Sequence, residues 1–258
     1  MNLVYSNIIG QQGKNLLILH GFLGMGDNWK THAKKWASMG YRVHLIDQRN
    51  HGRSFWSKAF TYKILAKDII TYCSHHQLTG VYVLGHSMGG KTTMHLAILA
   101  PQLMKAFIVA DIAPKKYPPH HQQILNGLAQ LDFNIIKNRS EANQFLVAFV
   151  KEEGTRMFLL KNLYWTSTGK LGLRLNIDVL KKVSKAIGEG LDTNLISSLP
   201  CLFVKGETSN YILETDHPII QHHFPKAEHL TVPIAGHWLH AENPTFFFDV
   251  VTNWIQSQ

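Results

Sequence analysis

A serine set between glycines, Gly85-His86-Ser87-Met88-Gly89, lies between an apolar run ending in Tyr82-Val83-Leu84 and a helical pattern that runs from Met88 to Ala100. A strand, a sharp turn and a helix are what lift a serine hydroxyl clear of a sheet edge as a nucleophile. The turn is so tight that only residues without a bulky Cβ branch fit at 85 and 89. It also leaves backbone N–H groups free at the start of the helix, and a developing oxyanion needs such donors. At average glycine and serine usage, a G-x-S-x-G string arises by accident in about one chain in ten of this length. The flanking pattern, not the string, therefore marks Ser87 as the candidate nucleophile.

A serine hydroxyl attacks only when a base can take its proton, and the base needs a carboxylate to hold its tautomer and stabilise its charged form. In a strand-turn-helix architecture of this kind the chain order is serine, acid, histidine. Sixteen histidines make composition uninformative, so position must choose. His237 follows the last strand in Ala235-Gly236-His237-Trp238, where a glycine lets the loop reach back over the sheet, and only His240 competes locally. The pairs His75/His76, His120/His121 and His222/His223 read as solvated helix or loop residues.

Two carboxylates are open as the acid. Asp111 ends the strand after the elbow, in Val109-Ala110-Asp111-Ile112-Ala113-Pro114, beside the serine's own strand if sequence neighbours pair. The loop after the penultimate strand, Lys205-Gly206-Glu207-Thr208-Ser209-Asn210-Tyr211, offers Glu207 as the alternative; Asn210 sits near the expected place but carries no charge. Asp111 is the preferred residue. After another buried strand comes His20-Gly21-Phe22, whose close turn lets the Phe22 N–H join that of Met88 as an oxyanion hole, with His20 and Gly21 bordering the substrate. The polar segment Asp47 to Ser54 reads instead as a rigid loop held by aspartate and arginine hydrogen bonds.

The elements that must position these residues alternate. Leu3 to Ile9, Leu16 to Leu19, Val43 to Ile46, Val81 to Leu84 and Ala106 to Ala110 read as strands, with helices over Trp29 to Met39 and Tyr62 to His75. Strands this apolar, separated by helices, predict an α/β fold with a mostly parallel sheet covered on both faces. The alternation stops at about Pro114. Helical patterns such as Ser140 to Val150 and Ile177 to Ile187 follow, and no convincing strand appears before Cys201 to Lys205 and Leu230 to Val232. A last helix is expected over Pro244 to Ile255. Residues 1–113 and 200–258 thus read as one core domain, and 114–199 as a helical lid inserted over the strands' carboxyl ends, where open α/β sheets place their sites.

Composition narrows the classes. Hydrophobic residues at 45% and charged residues at 17% are ordinary globular proportions. The N-terminal Met1-Asn2-Leu3-Val4-Tyr5-Ser6 lacks a basic segment followed by an apolar one, and no apolar run approaches a membrane span, so a soluble cytoplasmic protein without stable membrane insertion is expected. The net charge of +9 comes from scattered lysines without interleaved aromatics, which argues against nucleic acid and leaves an anionic small substrate or a solubilising surface. Cys73 and Cys201 lack metal-ligand spacing and read as unpaired core thiols.

Together these residues resemble the α/β-hydrolase superfamily, and within it the esterase YbfF group, to which the mitochondrial abhydrolase-domain lipid hydrolases are also similar. The resemblance spans His20-Gly21 with Asp27-Asn28-Trp29, the Asp47 to Ser54 loop, Gly85 to Gly90, Asp111 to Pro114 and Gly236 to Glu242. In the lid it includes Phe158 to Leu163 and Leu173-Arg174-Leu175-Asn176. It implies a Ser87-Asp111-His237 triad acting on ester or thioester bonds of small acyl substrates, acyl-CoA compounds included, with no metal or organic cofactor. In that group the acid is placed after the strand following the elbow, which favours Asp111. One departure is Leu173, where an aromatic residue is usual, so acyl-chain preference does not carry over. The same triad could serve a lyase of the menaquinone pathway or a carbon–carbon bond hydrolase, and a catalytically silent binding member of the fold is the remaining alternative.

Overall fold

The computed structural model describes residues 2–258. Its strands are β1 (Ser6–Ile9), β2 (Lys14–Leu19), β3 (Tyr41–Ile46), β4 (Val81–His86), β5 (Met104–Ala110), β6 (Leu163–Trp165), β7 (Leu171–Leu173), β8 (Cys201–Gly206) and β9 (Ala227–Val232). The helices are α1 (Lys30–Ser38), α2 (Tyr62–His75), α3 (Met88–Leu99), α4 (Gln122–Ala129), α5 (Arg139–Leu146), α6 (Glu153–Leu160), α7 (Ile177–Lys182), α8 (His217–His223), α9 (Leu239–Glu242) and α10 (Pro244–Ser257).

Seven strands form one sheet in the order β1-β3-β2-β4-β5-β8-β9, in which β1 runs antiparallel to β3 and every other pair is parallel. Leu16, Leu17, Ile18 and Leu19 are fully buried because both faces of the sheet are covered. On one face pack α2 through Ala66, Ile69 and Tyr72 and α3 through Met94 and Ala97. On the other lie α1 through Ala33 and Trp36 and α10 through Phe247, Val251 and Ile255. From β2 the chain crosses to β3 on one side and returns to β4 on the other, so the loops after β2 and β4 diverge and leave a crevice between them. Crevices at such reversal points are where open α/β sheets bind ligands. Among the described residues no helix is long and apolar enough to cross a membrane. Cys73 and Cys201 are free and buried, and burial pushes both thiols up to about 12.

Residues 114–199 carry a separate apolar cluster, including Leu125, Leu146, Leu159 and Leu180, that closes onto Phe22, Leu23 and Met88 at the strands' carboxyl ends. Two expectations for this segment need correction. It is not all helical, since β6 and β7 form an antiparallel hairpin; three-residue strands are too short for an alternating pattern to be visible in sequence. The helix expected through Ile187 also stops at Lys182 and resumes only as a single 3₁₀ turn over Ala186–Gly188. The two motifs singled out within the segment dock it onto the core. Asn162 Nδ2 donates to Leu23 O at 2.8 Å, and Asn176 donates to Asn50 through both its backbone and its side chain, each at 3.0 Å. The Asp47 loop is thereby an anchor, stiffened by Asp47 accepting from Gly26 and Arg53 amides and by Arg49 gripping both oxygens of Asp68.

The two stems of the insertion pair with each other, Tyr117 N donating to Gly188 O and Leu191 N to Pro114 O, both at 2.8 Å. Lys91, buried on α3, pins both by donating to Lys115 O at 2.7 Å and to Glu189 O. Burial pushes its ammonium down to about 7, outweighing the nearby Glu189 carboxylate. The unfolded chain therefore holds a proton at Lys91 that the folded chain has shed between pH 7 and the usual lysine range, so folding stability gains with rising pH there. Thermal melts of wild type and Lys91→Met, compared to cancel all other titrations, should show the wild-type advantage growing from pH 7 to pH 10. A difference in Tm that stays constant or narrows contradicts this sign.

Candidate active site

Ser87 sits at the join of β4 and α3 with φ +53°, a conformation that costs a non-glycine residue about 1–3 kcal/mol and persists only where its surroundings enforce it. They do so through contact. A Cβ at Gly85 would lie 2.3 Å from Gly89 O, and one at Gly89 would lie 2.1 Å from Leu19 O, so α3 can start this close to β2 only with glycine at both positions. The Ser87 amide donates to Ala110 O at 2.9 Å and its carbonyl accepts from Lys91 N at 3.1 Å, which leaves the side chain to face the crevice.

His237 reaches the crevice from the loop after β9. Its Nε2 lies 3.1 Å from Ser87 Oγ and its Nδ1 2.8 Å from Asp111 Oδ2. A carboxylate cannot donate, so Nδ1 carries the proton toward Asp111 and Nε2 is the lone pair that accepts from the serine hydroxyl. Asp111 is fully buried, at φ +54°, and its carboxylate also accepts from Gly206 N at 3.0 Å and from the Ser209 hydroxyl. The parallel register of β5 on β8 brings these partners together: Ala110 faces Val204, and Asp111 N donates to Val204 O. Glu207 turns away, exposed and accepting from Ile234 N at 2.8 Å, and Asn210 is exposed too. His240 makes no contact with Ser87; it is buried in a stack on Trp29 with ring centroids 4.0 Å apart.

The loop after β2 touches the elbow directly. A Cβ on Gly21 would lie 3.4 Å from Ser87 Cβ and 2.7 Å from His86 Nδ1, so the backbone of residues 21 and 22 runs alongside the serine. Among the described residues the Phe22 and Met88 amides donate to no protein acceptor, which leaves two N–H groups beside Ser87 for an oxyanion. Gly21 lines the cavity at Ser87 but His20 does not. His20 lies buried behind the loop, its Nε2 accepting from Gln48 N at 3.0 Å and its Nδ1 donating to Gly21 O at 2.8 Å. Burial pushes this imidazole down to about 4. Its position is that of a neutral brace for the turn rather than of a residue in contact with substrate.

Four residues of the site escaped sequence reasoning. Tyr211 stacks on the His237 ring with centroids 3.8 Å apart and planes 16° apart, and its carbonyl accepts from Tyr117 Oη at 2.5 Å. It thus ties the first stem of the insertion to the imidazole. His86 Nε2 donates to His237 O at 2.8 Å and holds that backbone in place. Its position inside the G-x-S-x-G string was the available signal. Ser209 supports Asp111, and His121, read as solvated, is half-buried against Phe22 beside Ser87. His223 departs from that solvated reading as well, being fully buried with Nδ1 donating to Leu195 O. Nothing in the sequence distinguished His121 from its exposed neighbour His120. Burial pushes both His86 and His121 down to about 3, so these rings stay neutral around His237.

Residues 14–244 match the family described as alpha/beta hydrolase fold. The chain is 34% identical to the sn-1-specific diacylglycerol lipase ABHD11 of Mus musculus over 93% of this chain and 80% of that protein. It is 29% identical to Esterase YbfF of Escherichia coli strain K12 over 96% of this chain and 98% of that protein. Among solved structures, a marine microorganism esterase superposes with a TM-score of 0.94 at 37% identity, covering 98% of this chain and 99% of the other.

Proposed function

The chain belongs to the α/β-hydrolase fold family, of esterase and lipase type, and from that premise we propose that it is a serine hydrolase cleaving carboxylic esters by acyl transfer through Ser87. The observation that supports this reading is the unbroken path of hydrogen bonds from Asp111 through His237 to Ser87, at 2.8 and 3.1 Å, beside two unengaged amides. In the first step Ser87 Oγ attacks the acyl carbon while His237 Nε2 takes its proton; the Phe22 and Met88 amides hold the oxyanion. His237 then hands the proton to the leaving oxygen as the carbon–oxygen bond breaks. Water, deprotonated by the same imidazole, releases the acid and restores Ser87. Asp111 stays ionised throughout and stabilises the imidazolium. Residues 114–199 serve as a lid that shields this chemistry from bulk water.

Covalent labelling by a fluorophosphonate tests the reading, with mass spectrometry locating the adduct. The expected site is Ser87, and absence of labelling together with absence of ester turnover refutes the proposal in favour of a silent binding member. A second reading, hydrolysis of CoA thioesters, draws on twelve Lys and Arg against seven Asp and Glu between Pro114 and Pro200, an excess that could attract CoA phosphates. Such attraction is screened over about 10 Å at 0.1 M salt. This reading therefore requires kcat/KM for a CoA thioester to fall with salt more steeply than that for a neutral ester of the same acyl length.

A further inference from the structure

Ser87 stands where two cavities of unequal size meet. One, of about 20 Å³, is closed in by Met88, Ile112, Tyr117, Pro118 and Ile187. The other, of about 180 Å³, is lined by Phe22, Leu159, His237, Phe158 and Trp238. His120, His121 and Tyr211 border both. Past Phe158 and Trp238, whose rings lie 5.5 Å apart, opens an outer groove of about 420 Å³ that the same two side chains help to line, with Gly154, Met157 and Ala241.

The position of the proton donor decides which part of an ester goes where. The leaving oxygen must receive its proton from His237 Nε2 as the bond to the acyl carbon breaks, so the alcohol portion has to lie on the His237 side of the serine. Only the wide cavity is lined by His237. The acyl substituent then points the opposite way, into the narrow cavity. The narrow cavity has about a ninth of the wide one's volume, so the shorter of an ester's two chains belongs there.

Building on the Ser87 reading above, we propose that the preferred substrates are short-acyl esters of long apolar alcohols, and that the groove beyond Phe158 and Trp238 is a distal subsite for the alcohol chain. The Ser87 Oγ–acyl bond forms as the acyl–O(alkyl) bond breaks, and the serine proton leaves on the alcohol by way of His237. Water then splits the acyl-enzyme into the short carboxylic acid and free Ser87. The outer groove carries Glu152 and Glu242 against Lys161, so it suits a neutral chain better than an anionic one.

Two isomeric esters separate this from the reverse arrangement. Octyl acetate and ethyl octanoate contain the same atoms, with the long chain on the alcohol in one and on the acid in the other. Wild-type kcat/KM is expected to favour octyl acetate by at least about tenfold, since a few misplaced methylenes in an apolar slot change discrimination by roughly 10–200-fold. Ile187→Ala, which enlarges the narrow cavity, should shrink that ratio. Gly154→Trp, which fills the outer groove, should lower the ratio of dodecyl acetate to ethyl acetate several-fold. Equal rates or a preference for ethyl octanoate overturns the assignment, as does a chain that labels at Ser87 yet hydrolyses neither ester. A chain that neither labels nor turns over any ester overturns the serine-hydrolase reading instead.

Discussion

Ser87→Ala is expected to lower kcat by on the order of 10⁶ while leaving the thermal midpoint nearly unchanged. The size follows from the geometry. Without Oγ there is no acceptor for the acyl group, His237 Nε2 loses its partner across the crevice, and the residual rate comes from the Phe22 and Met88 amides polarising a carbonyl for direct attack by water. Stability should hold because the Ser87 side chain makes no bond that shapes the elbow. The turn is enforced by Gly85, Gly89 and the Ser87 backbone bonds to Ala110 and Lys91. Steady-state kinetics on a short acetate ester, with melting curves as the control, check both halves. More than about a tenth of wild-type turnover in the variant rules Ser87 out as nucleophile.

The second large effect is expected at the acid. Asp111→Asn preserves shape and most hydrogen bonding but presents an amide to His237 Nδ1. That favours the wrong tautomer and removes the charge that stabilises the imidazolium, so kcat should fall by roughly 10⁴. Glu207→Gln should change kcat by less than about twofold, because that carboxylate is exposed and accepts from the Ile234 amide at the loop, away from the imidazole. The pair is a direct comparison of the two positions open in the sequence. Should the Glu207 variant be the inactive one, the acid works from the loop after β8, and the role given to Asp111 is lost.

Much of this molecule is legible in its sequence because the relevant physics is local. The elbow at Ser87 is written in five consecutive residues, since the crowding that demands glycine at 85 and 89 arises within one turn of chain and the strand it abuts. The parallel sheet is written in continuous apolar runs such as Leu16 to Leu19, which make sense only when both faces are covered. The span Tyr62 to His75 has the bounds that its apolar period predicts, and its start is capped by Thr61 accepting from Ile64 N.

What lay beyond the sequence depends on contacts between residues far apart in the chain. Asp111 meets His237, 126 positions later, and the Ser209 hydroxyl, 98 positions later, only because β5, β8 and β9 align in a particular register. Its place at the end of the strand after the elbow made Asp111 the preferred carboxylate over Glu207, but only that register brings it to the imidazole. Likewise His20 and His121 exchange their expected places. The turn at Gly21 rotates His20 back onto the Gln48 amide, and the fold of the 114–199 segment over the crevice brings His121 against Phe22. The sequence by itself determined the α/β frame and marked Ser87 and His237 as the candidate nucleophile and base, since these readings rest on backbone sterics and burial periodicity within single elements. Tertiary structure alone decided which carboxylate reaches the imidazole, which histidines line the cavity and how unequal its two arms are, because those follow from strand register and loop docking.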